Sequence, residues 1–565
     1  MGGFGVNDDL KRIGNEYWAF TLRSEPTSAS LRGFHEYDAE LEDLSRQTED
    51  DHIDTLERLA IAAQAIDARG LTPDEQVSRE VLIFEASTKA EDLRSRMAEF
   101  AVDPFNGIQV VFQQLAGQIP ITEPDHAEAA VEKWSKMGRM IDQAIGRLRQ
   151  GVTKDRTPPR IGAEKTIAQI DAYLQFPIEN DAFVNLAAPP EWNDDQVAAW
   201  RNRLAEQVTT VVRPAFRRYR AAIADEVMPE ARPPERSGVV WLPDGDQVYA
   251  RAIHRHTSLD LAALDIHNAG LGDISELEVE YAELGLSVLG TDDVASIYEQ
   301  LRNDDNLRFA DAGSIVAAAQ AALDRAEAAI PKWFGTLPQA PCVMAEMPPI
   351  GADDAPLAFY LPAAEDGSRP GMYFVNTTSP STRTRFESEA LAFHESIPGH
   401  HLQLTIAQEL EGVPDFRRNA FITVFHEGWG LYSERLADEM GLYSGDLERF
   451  GILSFDSWRA SRLVVDTGIH ALGWSRQEAI DYMIANSPQA TNNIVNEVER
   501  YIAWPGQALA YKTGQREMFR ARNRAIDTMG DRFDIRAFHD TLLGSGSVPM
   551  TTMHRLIDDW AGTVV

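Results

Sequence analysis

The chain has 565 residues, of which 44% are hydrophobic and 25% charged, and its formal net charge is −35 at pH 7. That much apolar sequence can bury a large core, so a disordered chain is excluded. The acidic excess repels nucleic acid and anionic membrane surfaces, and neither is an expected partner.

The first residues, MGGFGVNDDLKRIGNEYWAF, show no basic segment followed by an apolar one, so no secretory signal is expected. Val6 breaks the myristoylation pattern. No run of 18 apolar residues occurs, so no membrane span is expected and a cytoplasmic location is the working expectation. Helical apolar spacing marks 54–70, 126–151 and 195–227. Breaks rich in Pro and Gly follow at 228–245 and 331–371. Within and just after the second, PLAFYLPA (356–363) and GMYFVNTT (371–378) are the strand candidates, short and aromatic-rich between turn residues. From about 382 the pattern is helical again. These shifts divide the chain into an N-terminal helical region (1–235), a mixed region with short strands (236–380) and a helical metal-site region (381–565), expected to act as one cooperative unit. The fold class is mainly α.

Cys342 is the only cysteine, so a metal must be held by His and carboxylates. FHESIPGHHLQ (393–403) brings three of the chain's 13 histidines into eight positions, with a Glu after the first. In H-E-x-x-H, residues i and i+4 share a helix face and grip one ion. Here His400 follows His394 by six residues and His401 by seven. Six residues turn about 600°, to the far side of a straight helix; seven return to the face but about 10.5 Å along the axis. Pro398 removes this difficulty. It lacks an N–H, and its ring strikes the carbonyl of His394, four residues back. Gly399 then permits unusual backbone angles. A two-residue bulge returns His400, or His401, to the place of the second ligand. The plain alternative is a loop with surface histidines.

A third ligand is sought in DFRRNAFITVFHEGWGLYSERLADEMG (415–441), a helix with Glu427 and Glu434 on one face. Gly428 and Gly430 cost about 1 kcal/mol each there against Ala, so close approach to another helix is their expected use. Glu427 is the first choice and Glu434 the second. Further along, Arg462, Asp466 and His470 form an i, i+4, i+8 stripe. Asp466 can orient His470, which can donate to a substrate, or the stripe is an exposed charge ladder. Arg500, Tyr501 and Tyr511 flank a second Pro-Gly pair and are candidate donors to developing negative charge, or ordinary structural residues. Two Glu-x-x-His pairs, Glu49/His52 and Glu123/His126, fall at helix starts and argue weakly for a di-iron bundle.

HESIPGHHLQ, HEGWGLYSERL, RLVVDTGIHALGWS and RYIAWPGQALAYKTG together resemble a bacterial family of unknown function marked by H-E-x-x-P-G-H-H. The likeness covers about 380–525. That family is similar to the carboxypeptidase Taq family of zinc metallocarboxypeptidases, and more distantly to angiotensin-converting enzyme and the oligopeptidases. The resemblance implies a large helical metallopeptidase-like fold with a deep cleft, zinc on its floor and a small β-sheet beside the site. It places the metal ligands at His394, His400 and Glu427, the last within the pair His426-Glu427, and the catalytic Glu at Glu395. The two-residue insertion is the departure from the pattern. The expected activity is zinc-dependent hydrolysis of short peptides, most simply as a carboxypeptidase. Glu395 is the expected general base, with His470, Tyr501 and Tyr511 as catalytic donors. Arg500 or Lys512 is the expected cation for the substrate carboxylate. GMYFVNTT is the expected sheet edge for the peptide backbone. Zinc is the implied cofactor and a peptide the implied partner, with a homodimer as a further candidate. The competing reading is an inactive metallopeptidase-like scaffold or binding protein.

Overall fold

The structure is a computed structural model that describes residues 7–347, 356–364 and 369–563. Val6 and parts of the 331–371 break lie outside the described residues. The protein is mainly α, as its periodicity predicts. The helices run shorter or earlier than expected. The pattern at 54–70 is the second half of Arg46–Gln64, capped by the Ser45 hydroxyl. That at 126–151 is two helices, Pro124–Ser135 and Met137–Val152. That at 195–227 is one continuous rod, Asp194–Gln207 followed by Arg213–Ala222, with a wide turn after each. Among the described residues no helix is long and apolar enough to cross a membrane.

Three strands form one small sheet, β1 (Cys342–Glu346), β2 (Ala358–Leu361) and β3 (Gly371–Val375), in the order β1-β3-β2. The sequence pattern missed β1. β3 alternates buried and partly exposed residues, with Tyr373 and Val375 facing the core. It pairs parallel with β1 and antiparallel with β2. GMYFVNTT therefore has no free edge to offer a peptide backbone, which corrects that expectation: both sides of its ladder are filled by the chain itself.

One core cluster runs from Leu10 in the first described helix, α1 (Asp8–Ser24), to Ala561 in the last. A second gathers Leu41 and apolar residues from Val102 to Val227. Between the sheet and the C-terminus stand the elements that matter for function: α2 (Ser388–Glu395), α3 (His400–Gln408), α4 (Thr423–Glu439), α5 (Asp446–His470), α6 (Thr491–Ala503) and α7 (Ala510–Met529). From Phe450 to His470 every residue of α5 except Trp458 is buried. It is the central helix of this half, and its polar residues are inside.

Candidate metal centre

Helix α2 stops at Glu395 and α3 starts at His400. Between them Ser396 and Gly399 leave helical geometry, with ψ of −113° and −128°, and the Ile397–Pro398 peptide is cis. Gly399 lies so close over the end of α2 that a Cβ there would sit 1.9 Å from the His394 carbonyl oxygen. The Trp429 indole N–H from α4 donates to the Pro398 carbonyl at 2.9 Å and pins the break in place. The two additional residues are thus spent on the break.

The result is convergence. Ligand atoms of His394, His400 and Glu427 all lie within 4.8 Å of one another. The Glu427 carboxylate oxygen is 3.8 Å from His394 Nε2 and 3.7 Å from His400 Nε2. His394 is brought there by close helix approach. A Cβ on Gly430 would stand 2.5 Å from the His394 ring, and one on Gly428 2.5 Å from Gly514 Cα of α7. Glu434 takes a different part from the one expected. Its carboxylate accepts from His394 Nδ1 at 2.8 Å, behind the ring, and turns Nε2 toward Glu427.

His401 points away, with Nδ1 2.9 Å from the Tyr360 hydroxyl of β2. Burial pushes it down to about 4. His426 stacks on Phe421, ring centroids 4.3 Å apart, and burial holds it at about 4 as well. Burial also opposes charge on His394, but the carboxylates of Glu427 and Glu434 overcome it and raise the imidazole to about 9. Glu427 is desolvated too, yet the two histidines hold it well below the usual carboxylate range. Glu395, next to His394, is partly buried and has no hydrogen-bond or ion-pair partner among the described residues.

Glu427 lies on the wall of a cleft of about 970 Å³. Tyr511 and Arg500 line the same cleft. Burial and then the Glu427 charge raise the Tyr511 phenol. Arg500 is bound to Glu497 and Gln507 at 2.9 and 2.7 Å. Three other expected site residues are corrected. His470 is buried, donating from Nε2 to the Tyr501 carbonyl at 2.9 Å and accepting from the Val239 N–H at Nδ1. Asp466, expected to orient it, accepts from the Tyr249 hydroxyl and the Gly506 N–H. Tyr501 is fully buried, its hydroxyl shared among Arg462, Trp458 and Glu497. Lys512 is buried in a pair with Asp456. All three fail for one reason: their donors are already used inside the protein.

The sequence pattern of the family described as bacterial protein of unknown function (DUF885) matches residues 26–557. This chain belongs to DUF885. Among solved structures, one described as a "putative lipoprotein" from Colwellia psychrerythraea is similar at 25% identity and a TM-score of 0.90, over 98% of this chain and 99% of that one. A second, described as a "putative lipoprotein of unknown function" from Shewanella oneidensis, shares the fold at 17% identity and a TM-score of 0.77, over 97% and 99%. No curated protein matches the chain. For this DUF885 chain, sequence reasoning missed Trp429 as the clamp on the break, which left no signal in spacing.

Proposed function

We propose that this protein is a zinc-dependent peptidase acting on short peptides, in the manner of a carboxypeptidase. The observation that carries this reading is the meeting of His394, His400 and Glu427 on one point, with Glu434 behind His394. The residues fit the ion. Two imidazoles and a carboxylate are a known catalytic zinc set, leaving a position open. Their separations of 3.7 and 3.8 Å are too long for hydrogen bonds. They are close to the edge of a tetrahedron with ligands at about 2.0–2.1 Å, which is about 3.4 Å. When bound, zinc supplies a Lewis acid and lowers the pKa of a coordinated water to about 7.

The chain's own residues do the rest. The Glu395 carboxylate, free of partners, accepts the proton from the attacking water and returns it to the leaving amine. The Tyr511 hydroxyl, on the cleft wall near Glu427, donates to the oxyanion. The cleft is large enough for a short peptide. The similarity of H-E-x-x-P-G-H-H to the carboxypeptidase Taq pattern supports the same reading. The test is Glu395→Gln in zinc-loaded protein. Hydrolysis of a short peptide library should fall by about 10²–10⁴-fold with zinc content unchanged. Wild-type turnover in that variant, or purified protein that takes up no zinc, sinks the reading.

A further inference from the structure

Of the two Glu-x-x-His pairs in the sequence, one brings a histidine into a second cluster, apart from the centre above. His126 stands in the first turn of the helix Pro124–Ser135, and His35 opens the short turn His35–Tyr37. Their imidazoles lie face to face, ring centroids 3.6 Å apart and 8° from parallel. His35 Nδ1 is 2.8 Å from Asp38 Oδ2. Ligand atoms of His35, Asp38 and His126 all lie within 4.8 Å of one another, the same bound that encloses His394, His400 and Glu427.

This is more than a meeting of surface side chains. Asp38 is 4% exposed, and its Oδ1 is buried without a hydrogen-bond partner. A buried carboxylate oxygen with no donor is costly. Lys133 is a cation within electrostatic reach of Asp38, but its ammonium donates to the Glu40 carbonyl at 2.6 Å and makes no ion pair with Asp38. The segment HEYDAELE (35–42) itself holds four carboxylates and no Lys or Arg. Of these, Glu40 pairs with Lys136 and Glu42 accepts from Thr27, so Asp38 is the one turned to the rings. Aromatic rings avoid a full face-to-face stack. Burial does not force one here, because the His35 side chain is 35% exposed and His126 is partly exposed. Nε2 of each ring has no hydrogen-bond partner among the described residues. Nitrogen donors that solvent can reach thus sit over a buried carboxylate that lacks a cation.

We propose that His35, Asp38 and His126 bind one divalent transition-metal ion, as a second metal site of this chain. Two imidazoles and a carboxylate suit Zn2+, Ni2+ or Cu2+, whereas Ca2+ and Mg2+ take oxygen ligands. The ion displaces the proton shared by His35 and Asp38. It also draws the two rings out of their stack, since the lone pairs of parallel rings do not meet at one point. When His126 binds through Nε2, its Nδ1 proton has the Thr122 hydroxyl 3.3 Å away as acceptor. A bound ion ties the segment at 35–38 to Pro124–Ser135, a helix of the second core. Phe34, next to His35, packs edge-on against Trp18 at 6.0 Å, and Trp18 lines the cleft. The site is a clasp behind the N-terminal wall of the cleft, and it stands independently of the peptidase reading.

The test is equilibrium dialysis of metal-stripped full-length protein against micromolar Zn2+, with bound metal counted by atomic absorption. His126→Ala should bind about one equivalent fewer than wild type, and so should His35→Gln. Zinc should raise the melting temperature of wild type by more than that of either variant. His126 is partly exposed at a helix start, so its loss should leave the metal-free melting temperature close to wild type. If it does not, His35→Gln decides by the same count. Wild type and variants share His394, His400 and Glu427, so the difference reads this site whether or not the first centre is filled. Equal metal counts in wild type and both histidine variants, or an equal rise in melting temperature in all three, overturn the proposal.

Discussion

His394 is held from two sides, and each side is one residue. Gly430 lets α4 come against its ring, and Glu434, one turn on, fixes its Nδ1. A carboxylate behind a ligating imidazole sets its tautomer and raises its basicity. Burial raises Glu434 itself, opposed by His394, so this carboxylate needs the imidazole as much as it orients it. Replacing Glu434 by Gln should therefore weaken zinc binding by about tenfold, and by Ala by up to about 100-fold. Competition with a chromophoric chelator measures this. An unchanged constant would place Glu434 outside the centre. Much of this was legible in the sequence. Crowded histidines and an intervening Pro-Gly gave the break, and two glycines in a helix gave the close approach. Glu427 was preferred to Glu434 as the ligand, but the place of Glu434 behind His394 was not legible, because both share a helix face and spacing carries no depth.

At the scale of elements, what the pattern could not show is which polar faces point inward. The stripe Arg462, Asp466, His470 reads as a solvated ladder or a reactive one. Asp466 and His470 are neither, because they are buried and bond to Tyr249, Gly506, Val239 and Tyr501, whereas Arg462 of the same stripe lines the cleft. Asp456 on the same helix shows the consequence. It is 1% exposed and pairs with Lys512 of α7 and Arg435 of α4, joining the three helices that surround the site. Burial alone would raise its pKa, but the two cations outweigh that and lower it to about 2. The unfolded value is about 3.9. A depressed carboxylate stabilises the fold above its unfolded pKa, and that contribution fades as pH falls from about 4 toward 2. Asp456→Asn leaves buried cations behind and should cost about 3–5 kcal/mol in urea unfolding at pH 7. The cost should shrink as wild type and variant are compared at pH 3 and below. A pH-independent difference would mean that the pair is not what binds these helices. The strands teach a smaller lesson. Two of three were visible as aromatic runs, while CVMAE, short and without an aromatic residue, did not stand out although Pro341 and Pro348 bound it.

The whole molecule contributes to the cleft: Tyr17, Trp18 and Thr21 of α1 line it together with Glu427 and Tyr511. The segment before α4 is the joint. Phe416, 3% exposed, meets Tyr17 edge-on at 6.0 Å, and Gly14 leaves room for its ring. Arg417 donates to the Asp74 carbonyl and the Ser78 hydroxyl on one side and to the Ser545 carbonyl on the other. The second core is tied in by Glu99, 1% exposed, which pairs with Arg46, Lys154 and Arg156 at 2.9, 2.9 and 3.2 Å. With such joints the centre has no way to loosen alone, because α4 is anchored at its start to both chain ends and along its length to α7. Phe416→Ala tests this. Removing a buried ring costs about 3–5 kcal/mol, and the residue touches no ligand. Urea unfolding followed by far-UV circular dichroism and by zinc release should show one coincident transition. The variant should move both midpoints down together while the zinc constant of the folded protein is unchanged. Zinc leaving well before the helices melt would show that the centre opens on its own, and the N-terminal helix would then be a cover and not a wall.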